Sequence, residues 1–220
     1  MISVAIDGPA GAGKSTVAKE VSSKLKYIYV DTGAMYRTLA LACIRNGVSS
    51  DDEEGVVKIC KASKVSIKYQ DGEQTMFLND ENVNAYIRTE QVSSVTSKIS
   101  AFGEVRETLI EIQRNLAIEN NIIMDGRDIG THVLPNANVK IYLTASAGTR
   151  ALRRYKQLQE KGIDGNLEEI EREIIERDNR DMNREVAPLK VADDAIFVDT
   201  SEMTQEEVVN NLIDLINSRI

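Results

Sequence analysis

The sequence predicts a three-layer α/β fold in which helices cover both faces of a five-stranded parallel sheet. Five short, nearly uninterrupted apolar runs rich in β-branched residues have the pattern of strands buried on both faces: Ile2–Ile6, Ile28–Val30, Ile122–Met124, Val139–Leu143 and Ile196–Val198. Segments with helical spacing of apolar residues separate these runs: 14–26, 34–46, 87–119 with a break near Phe102-Gly103, 147–161, 167–185 and 205–218. This alternation predicts that ligands bind beyond the carboxyl ends of the strands.

Length and charge restrict the class of protein. The 220 residues suffice for one α/β domain with a sizeable core and a small insertion. A net charge of −8 argues against general binding to nucleic acid or to a membrane surface. The sequence shows neither a secretion signal nor an apolar stretch of about 18 residues, so we expect a cytoplasmic protein.

The two cysteines and the single histidine form no recognisable site. Cys43 and Cys60 fit no metal-binding spacing, and two buried thiols are favoured over a disulfide. His132 would need a partner to act as a general base, and the sequence does not supply one, so we expect a structural role for it.

A complete phosphate-binding motif of the form G-x-x-x-x-G-K-[ST] follows the first apolar run. Its members are Gly8, Pro9, Ala10, Gly11, Ala12, Gly13, Lys14, Ser15 and Thr16. Glycines allow backbone N–H groups to surround a polyphosphate, the Lys14 ammonium reaches the β- and γ-phosphates, and the Ser15 hydroxyl can ligate Mg²⁺. The strand before the motif and the amphipathic run after it favour a P-loop NTPase fold that binds a triphosphate, over a glycine turn without a ligand.

One segment departs from the alternation of strands and helices. Residues 65–83 alternate apolar and polar side chains around two turn signals, Asp71-Gly72 and Asn79-Asp80. The pattern predicts a small antiparallel insertion outside the parallel sheet. Its spacing leaves open whether the insertion contributes to function or is an exposed meander.

Polar residues follow the second strand, where a second ligand would approach the phosphate loop. Thr32, Tyr36 and Arg37 belong to the segment DTGAMYR, which opens a helix. By position alone, Thr32 can equally be the N-cap of that helix and Arg37 a solvated charge.

The apolar run at 122–124 ends in a dense group of charges. Asp125 has a Walker-B-like position, where a carboxylate can hold Mg²⁺ directly or through water. The planar guanidinium of Arg127 matches phosphate oxygens, and Asp128 can accept a hydrogen bond from an exocyclic amino group. An ion pair between Arg127 and Asp128 is the alternative. So many charges at a buried sheet edge are costly unless ligands or ions pair with them.

Half of the arginines lie between residues 150 and 184, and all of these except Arg172 belong to two groups. One group begins a helix before the glycine-bounded turn at 161–165: Arg150, Arg153 and Arg154. It suits a mobile flap over a nucleotide, or else a solvated helix face. The other group shares one helix face with an aspartate: Arg177, Arg180, Asp181 and Arg184. This face can hold a polyanion or carry surface pairs with glutamates, and the scarcity of apolar residues around it favours the polyanion.

The candidate residues supply a triphosphate cradle, many arginines and no convincing general base. Transfer of a phosphoryl group to an alcohol usually requires a residue that accepts the hydroxyl proton. A monophosphate, with its second pKa at about 6, is already an anionic nucleophile at neutral pH. Arginines and Mg²⁺ then hold two anions in line and neutralise the moving charge. The pattern favours a nucleoside monophosphate kinase.

Four segments, GPAGAGKST, DTGAMYR, DGRDIGT and RDNRDMNREVAPL, resemble the bacterial cytidylate kinase family. The resemblance extends over essentially the whole chain, including the insertion at 65–83. It implies that a monomer, without nucleic-acid or membrane partners, transfers the γ-phosphoryl group of ATP to CMP or dCMP with Mg²⁺. It also implies a core at 1–31 and 106–220, a monophosphate-binding region at 32–105 and a short lid at 150–165.

The resemblance further implies a role for each candidate residue. The ATP phosphates would contact Lys14, Ser15 and the backbone of Gly11–Gly13, with Arg153 or Arg154 in the lid. The CMP phosphate would contact Tyr36, Arg37 and Arg127. Cytosine would contact Thr32, Arg106, Asp128 and Arg184, and the sugar would lie near Ser97, Arg177 and Asp181. The transfer itself would depend on Lys14, Asp125, Arg127 and Arg177. The family often has serine at the position of Thr32, a difference that keeps the hydroxyl.

Two alternatives are left. One is another small-substrate P-loop kinase, acting on UMP, AMP or shikimate. The other is a nucleotide-dependent switch that transfers nothing. A guanine-binding switch would normally carry an [NT]-K-x-D motif, and this sequence contains none.

Overall fold

The computed structural model describes residues 1–70, 73–160 and 162–220. Its strands are β1 (Ser3–Asp7), β2 (Ile28–Asp31), β3 (Val65–Gln70), β4 (Glu73–Leu78), β5 (Glu81–Asn82), β6 (Ile122–Gly126), β7 (Val139–Thr144) and β8 (Ile196–Asp199). Its helices are α1 (Lys14–Leu25), α2 (Thr32–Arg45), α3 (Glu53–Ala62), α4 (Glu90–Ile99), α5 (Gly103–Glu119), α6 (Ala147–Glu160), α7 (Leu167–Asn183) and α8 (Gln205–Asn217). A π-helical turn occupies Ile129–Val133.

The central sheet has five parallel strands in the order β2-β6-β1-β7-β8. All five predicted strands are confirmed, with ends that shift by no more than two residues. Neighbouring side chains of β1 alternate between two apolar clusters. Ala5 packs with the side chains of α2 and α5, whereas Val4 and Ile6 pack with those of α1 and α8. The sheet is therefore buried on both faces, which confirms the three-layer prediction.

The phosphate loop connects β1 to α1, as predicted. A Cβ atom on Gly8 would lie 2.0 Å from the Leu143 carbonyl oxygen of β7, so glycine is required for this close approach. Gly13 precedes α1 as its N-cap residue with a φ of 87°, a left-handed conformation that glycine adopts without strain. The N-terminus of α1 thus points toward the carboxyl end of the sheet.

The predicted antiparallel insertion is confirmed as a sheet in the order β3-β4-β5. Asn79 and Asp80 connect β4 to β5 with φ values of 48° and 70°. Two consecutive positive φ values are what a type I′ hairpin turn requires. The turn predicted at Asp71-Gly72 lies outside the described residues, as does Lys161 of the turn predicted at 161–165.

One helix was not predicted, and another starts earlier than predicted. The helix α3 was missed because Val56 and Cys60 are its only fully buried residues, too few for a clear apolar stripe. The helix α2 starts at Thr32, two residues early, because the Asp31 carboxylate accepts a hydrogen bond from the Ala34 N–H at 2.8 Å. Asp31 is therefore the N-cap, and the alternative in which Thr32 has that role is wrong. The break predicted near Phe102 is confirmed between α4 and α5.

The three residues expected to be structural are not among those that line the main cavity. Cys43 and Cys60 are buried free thiols, as predicted, with their Sγ atoms 4.0 Å apart. His132 is exposed in the π-helical turn, and its carbonyl oxygen accepts a hydrogen bond from Arg114 at 3.0 Å. Among the described helices, none is both long and apolar enough to cross a membrane.

Candidate active site

A cleft of about 340 Å³ opens at the carboxyl ends of β2 and β6, between the phosphate loop and the helices α2, α4, α5, α6 and α7. Most of the predicted site residues line it: Ala10, Gly11, Gly13, Lys14, Ser15, Thr16, Thr32, Tyr36, Arg37, Ser97, Arg106, Asp125, Arg127, Asp128, Arg153, Arg154, Arg177, Asp181 and Arg184. Three loop residues are not among the lining residues: Gly8, Pro9 and Ala12. The residues predicted to bind the triphosphate and those predicted to bind the monophosphate therefore line the same cavity.

Lys14 is buried beneath the phosphate loop, with 5% of its surface exposed. Its Nζ atom donates a hydrogen bond to the Pro9 carbonyl oxygen at 2.7 Å. Burial and the neighbouring Arg127 guanidinium lower the pKa of Lys14 to about 7, although Asp125 and Asp7 act in the opposite direction. An anionic phosphate chain beside Nζ would favour the charged form.

This low pKa predicts that a nucleoside triphosphate binds with uptake of a proton. Above pH 7 the free protein carries mostly neutral Lys14, whereas bound phosphates favour the ammonium, so the affinity falls as the pH rises. Between about pH 8 and about pH 9, we expect the Kd of a non-hydrolysable ATP analogue to rise up to about tenfold in isothermal titration calorimetry. The Lys14→Met variant should lose most of this dependence. If the Kd depended on pH equally in the parent protein and in Lys14→Met, or if binding became tighter at high pH, Lys14 would not be the group that takes up the proton.

Asp125, near the end of β6, joins a candidate Mg²⁺ site to the phosphate loop. Its carboxylate accepts hydrogen bonds from the hydroxyls of Ser15 at 2.8 Å and Tyr29 at 3.0 Å. Burial and the nearby Asp31 raise the pKa of Asp125 to about 6. A hydroxyl beside a carboxylate offers the hard oxygen ligands that Mg²⁺ prefers. Within the described part of the chain, no cluster of three His, Cys, Asp or Glu side chains could hold a metal, so phosphate oxygens and water would complete the coordination.

Asp7, the last residue of β1, fixes the loop that follows β6. Its carboxylate accepts hydrogen bonds from the N–H groups of Ile129 at 2.8 Å and Gly130 at 2.7 Å, which open the π-helical turn. Burial raises the pKa of Asp7 to about 6, against the effect of these two N–H groups. Sequence reasoning missed Asp7, because a single strand-terminal aspartate gives no distinctive signal.

Asp128 is buried between two arginines that come from distant parts of the chain. Arg106 of α5 pairs with one carboxylate oxygen, and Arg184 at the end of α7 pairs with the other at 3.1 Å. All three side chains are no more than 6% exposed. The guanidinium of Arg106 also lies 5.4 Å from the centre of the Tyr36 ring. The alternative pairing of Asp128 with Arg127 is wrong.

Arg127 pairs instead with Asp181 of α7, whose Oδ2 atom lies 2.8 Å from the arginine Nε. One turn earlier on α7, Arg177 has no ion pair among the described residues, and its buried Nε has no hydrogen-bond partner there. Burial and Arg127 lower the pKa of Arg177 to about 10. Two neighbouring guanidinium groups repel one another and attract an anion placed between them. Arg180, predicted on the same face, is exposed and is not among the lining residues.

The first turns of α2 contribute a further arginine, Arg37. Arg37 donates to the Asp31 carboxylate at 2.9 Å. Its Nη1 atom would lie 3.1 Å from a Cβ on Gly33, so a larger residue there would crowd the guanidinium. The hydroxyl of Thr32 donates to the Asp125 carbonyl oxygen at 2.7 Å, which fixes α2 against β6.

The three arginines of α6 have unequal surroundings. Arg150 is buried and forms two hydrogen bonds to the Asp178 carboxylate, at 3.1 and 2.6 Å. It also donates to the Ala10 carbonyl oxygen at 2.9 Å, which connects the phosphate loop to α7. Arg153 donates to the Thr200 carbonyl oxygen at 2.7 Å, and Arg154 is exposed at the cleft.

Several lining residues were not predicted: Asp31, Gly33, Thr96, Ser100, Gly126 and Gln157. Gln157 lies four residues after Arg153 on α6, so helical spacing could have identified it. Thr96 and Ser100 lie on either side of Ser97 near the end of α4. They were missed because a single polar residue at a helix end has no sequence pattern that indicates binding.

Five polar atoms in the cleft are buried without a hydrogen-bond partner among the described residues. They are Tyr36 Oη, Arg37 Nε, Ser97 Oγ, Arg106 Nε and Arg177 Nε. Buried polar groups in proteins are nearly always satisfied, so this concentration indicates a polar ligand. All five belong to the predicted acceptor side and none to the phosphate loop.

The sheet order, the phosphate loop and the polar cleft beside it define a P-loop kinase. A solved gluconokinase structure from Sinorhizobium meliloti shares the fold, with a TM-score of 0.50, 12% identity, and coverage of 99% of this chain and 92% of that one. The chain belongs to the cytidylate kinase family, whose model matches residues 4–218. Among its relatives, the cytidylate kinase of Caldicellulosiruptor bescii is 49% identical over 97% of this chain and 95% of its own. That of Lactobacillus johnsonii is 47% identical over 100% and 95%.

Proposed function

We propose that this protein transfers the γ-phosphoryl group of ATP to CMP or dCMP, which gives ADP and CDP or dCDP. Membership of the cytidylate kinase family supports the activity. The structural observation that carries the proposal is the set of unpartnered polar groups around the Arg106–Asp128–Arg184 cluster, in the same cleft as the phosphate loop.

The acceptor phosphate is proposed to bind Tyr36, Arg37 and Arg127. One of its oxygens, already ionised, attacks the γ-phosphorus, and the bond from that phosphorus to the bridging oxygen of ADP breaks. No side chain has to remove a proton, which agrees with a cleft that offers no histidine. Lys14 and Arg177 neutralise charge on the transferred group, and an arginine in such a position can contribute about 10³ to 10⁵ in rate.

Cytosine is proposed to bind at Asp128. Its N4 amino group donates to the Asp128 carboxylate, and Arg106 and Arg184 donate to the acceptors at N3 and O2. Uracil reverses the pattern at positions 4 and 3, so a carbonyl oxygen would face the carboxylate and an N–H would face a guanidinium. Because buried polar groups left without partners are costly, the site should discriminate strongly between cytosine and uracil. Ser97 and Asp181 are proposed to lie near the sugar.

A Mg²⁺ ion would be held by the Ser15 hydroxyl and, directly or through water, by Asp125, and would neutralise phosphate charge. Arg153 and Arg154 are proposed to cover ATP as part of a lid at 150–165, and residues 32–105 to form the acceptor side. The position of Arg154 at an exposed edge of the cleft supports the lid assignment.

A panel of acceptors tests the function. Release of ADP is measured with CMP, dCMP, UMP, AMP and GMP at fixed ATP and Mg²⁺. We expect kcat/KM for CMP and dCMP to exceed that for AMP and GMP by about a hundredfold or more. A preference for AMP or GMP would refute the proposal. Slow hydrolysis of ATP that no monophosphate accelerates would favour a nucleotide switch instead.

A further inference from the structure

The antiparallel insertion supplies partners for the free edge of the central sheet. β2 is the edge strand of that sheet, and among the described residues it pairs with β6 alone, so the backbone groups on its other side need partners. Tyr69 of β3 donates its hydroxyl to the Tyr29 carbonyl oxygen at 3.2 Å. Gln74 of β4 accepts from the Asp31 N–H at 2.8 Å and donates to the Asp31 carbonyl oxygen at 3.3 Å. Because Tyr29 and Asp31 are two residues apart in a strand, their free backbone groups face the same side.

Asp31 connects this edge to the acceptor side of the cleft. Its backbone is held by Gln74, while its carboxylate caps α2 at the Ala34 N–H and accepts from Arg37 Nη2. Arg37 lines the main cleft, where its Nε is buried without a partner among the described residues. Gln74 is not among the lining residues of that cleft and lies instead in a separate one of about 190 Å³. Contacts therefore lead from the insertion, through one aspartate, to an arginine in the acceptor site.

We propose that Gln74 is a positioning residue for the acceptor phosphate: its amide holds the Asp31 backbone, and the Asp31 carboxylate in turn orients Arg37. The physical reason is geometric. A guanidinium binds phosphate through a planar fork, so a small displacement of its anchor weakens the contact. The Arg37 side chain is 20% exposed, and a long side chain at this exposure has freedom that a fixed partner removes. The insertion then contributes to substrate binding, which the spacing of its residues left open.

Gln74→Ala, compared with the matched control Lys68→Ala, tests the proposal. Lys68 belongs to the same small sheet, where its Nζ lies 4.6 Å from the centre of the Phe77 ring. For Gln74→Ala we expect the KM for CMP to rise about fivefold, the effect of one or two lost hydrogen bonds. The KM for ATP should stay within about twofold, and Lys68→Ala should leave both values within about twofold.

A second pair of variants separates a positioning role from a general structural one. In an Arg37→Ala background, Gln74→Ala should have no further effect on the KM for CMP, because residues that act through one another are not additive. Gln74→Glu serves if the alanine variant does not fold. It keeps the acceptor for the Asp31 N–H, loses the donor to the Asp31 carbonyl oxygen, and should also raise the KM for CMP.

The outcomes are distinguishable. An unchanged KM for CMP, an equal rise of both KM values, or the full effect in the Arg37→Ala background would overturn the role of Gln74. The proposal rests on the role of Arg37 as a phosphate ligand. If Arg37→Ala alone leaves the KM for CMP unchanged, Arg37 is not a phosphate ligand and Gln74 cannot act through it. The choice of CMP as acceptor is tested separately, by the substrate panel.

Discussion

Replacing Arg177 by alanine is expected to lower kcat for CMP phosphorylation by about a thousandfold or more. The buried Nε of Arg177 has no partner among the described residues, and Arg177 has no ion pair there, unlike Arg37 and Arg106. Its charge is close enough to Arg127 for the two to repel one another. A guanidinium that is already desolvated stabilises developing charge more strongly than one in water. Because the interaction strengthens in the transition state, kcat should fall far more than the KM for CMP rises.

The same substitution should not destabilise the free protein. The pKa of Arg177 is lowered to about 10, which means that the folded state disfavours its charged form relative to the unfolded chain. Below pH 10 the arginine stays protonated, so the folded protein carries this penalty at every pH used for assays. We expect thermal unfolding of Arg177→Ala at the same temperature as the parent protein or higher.

Arg180→Ala is the matched control for Arg177→Ala. Arg180 lies three residues further along α7, is exposed, and is not among the residues that line the cleft. Its replacement should leave kcat within about twofold. The assignment of Arg177 would be wrong if both variants lost activity equally, or if its loss of activity accompanied a lower unfolding temperature.

The sheet was predictable because its information is local. Each buried strand is a short run of β-branched residues, and a segment with helical spacing follows most of these runs. Both patterns can be recognised from a few consecutive residues. The helix α3 escaped prediction because its stability depends on capping by Asp52 and on contacts with α2 and α5 more than on a broad apolar stripe. Where tertiary contacts dominate, a local pattern is weak.

The acceptor site shows the same limit more clearly. The phosphate loop is contiguous, so its residues were identified together. The partners of Asp128 are 22 and 56 residues away, and their meeting depends on how the tertiary fold brings α5 and the end of α7 together after β6. From the residues alone, the adjacent Arg127 was the only alternative partner to consider, and it pairs elsewhere. Arg106 was identified through the family resemblance, because an arginine inside an amphipathic helix carries no signal of its own.

Asp128→Asn should lower kcat/KM for CMP by about two to three orders of magnitude and weaken the preference for CMP over UMP. Asparagine keeps the size of the side chain but removes the charge that pairs with Arg106 and Arg184. Its amide can present an N–H to the carbonyl oxygen at position 4 of uracil, which the carboxylate repels. The KM for ATP should change little, because the contacts of Asp128 belong to the acceptor side.

Loss of the charge should also affect stability, so the base preference is the decisive measurement. Breaking a buried ion pair by removing one partner costs about 3–5 kcal/mol, and here two arginines would face each other without their shared anion. Asp181→Asn is the control, since it removes a similarly buried carboxylate from Arg127 at a position proposed to lie near the sugar. That variant should lower kcat/KM for CMP and UMP in equal proportion, whereas Asp128→Asn should change their ratio by about tenfold or more. An unchanged ratio in Asp128→Asn would mean that Asp128 holds the two arginines together without reading the base.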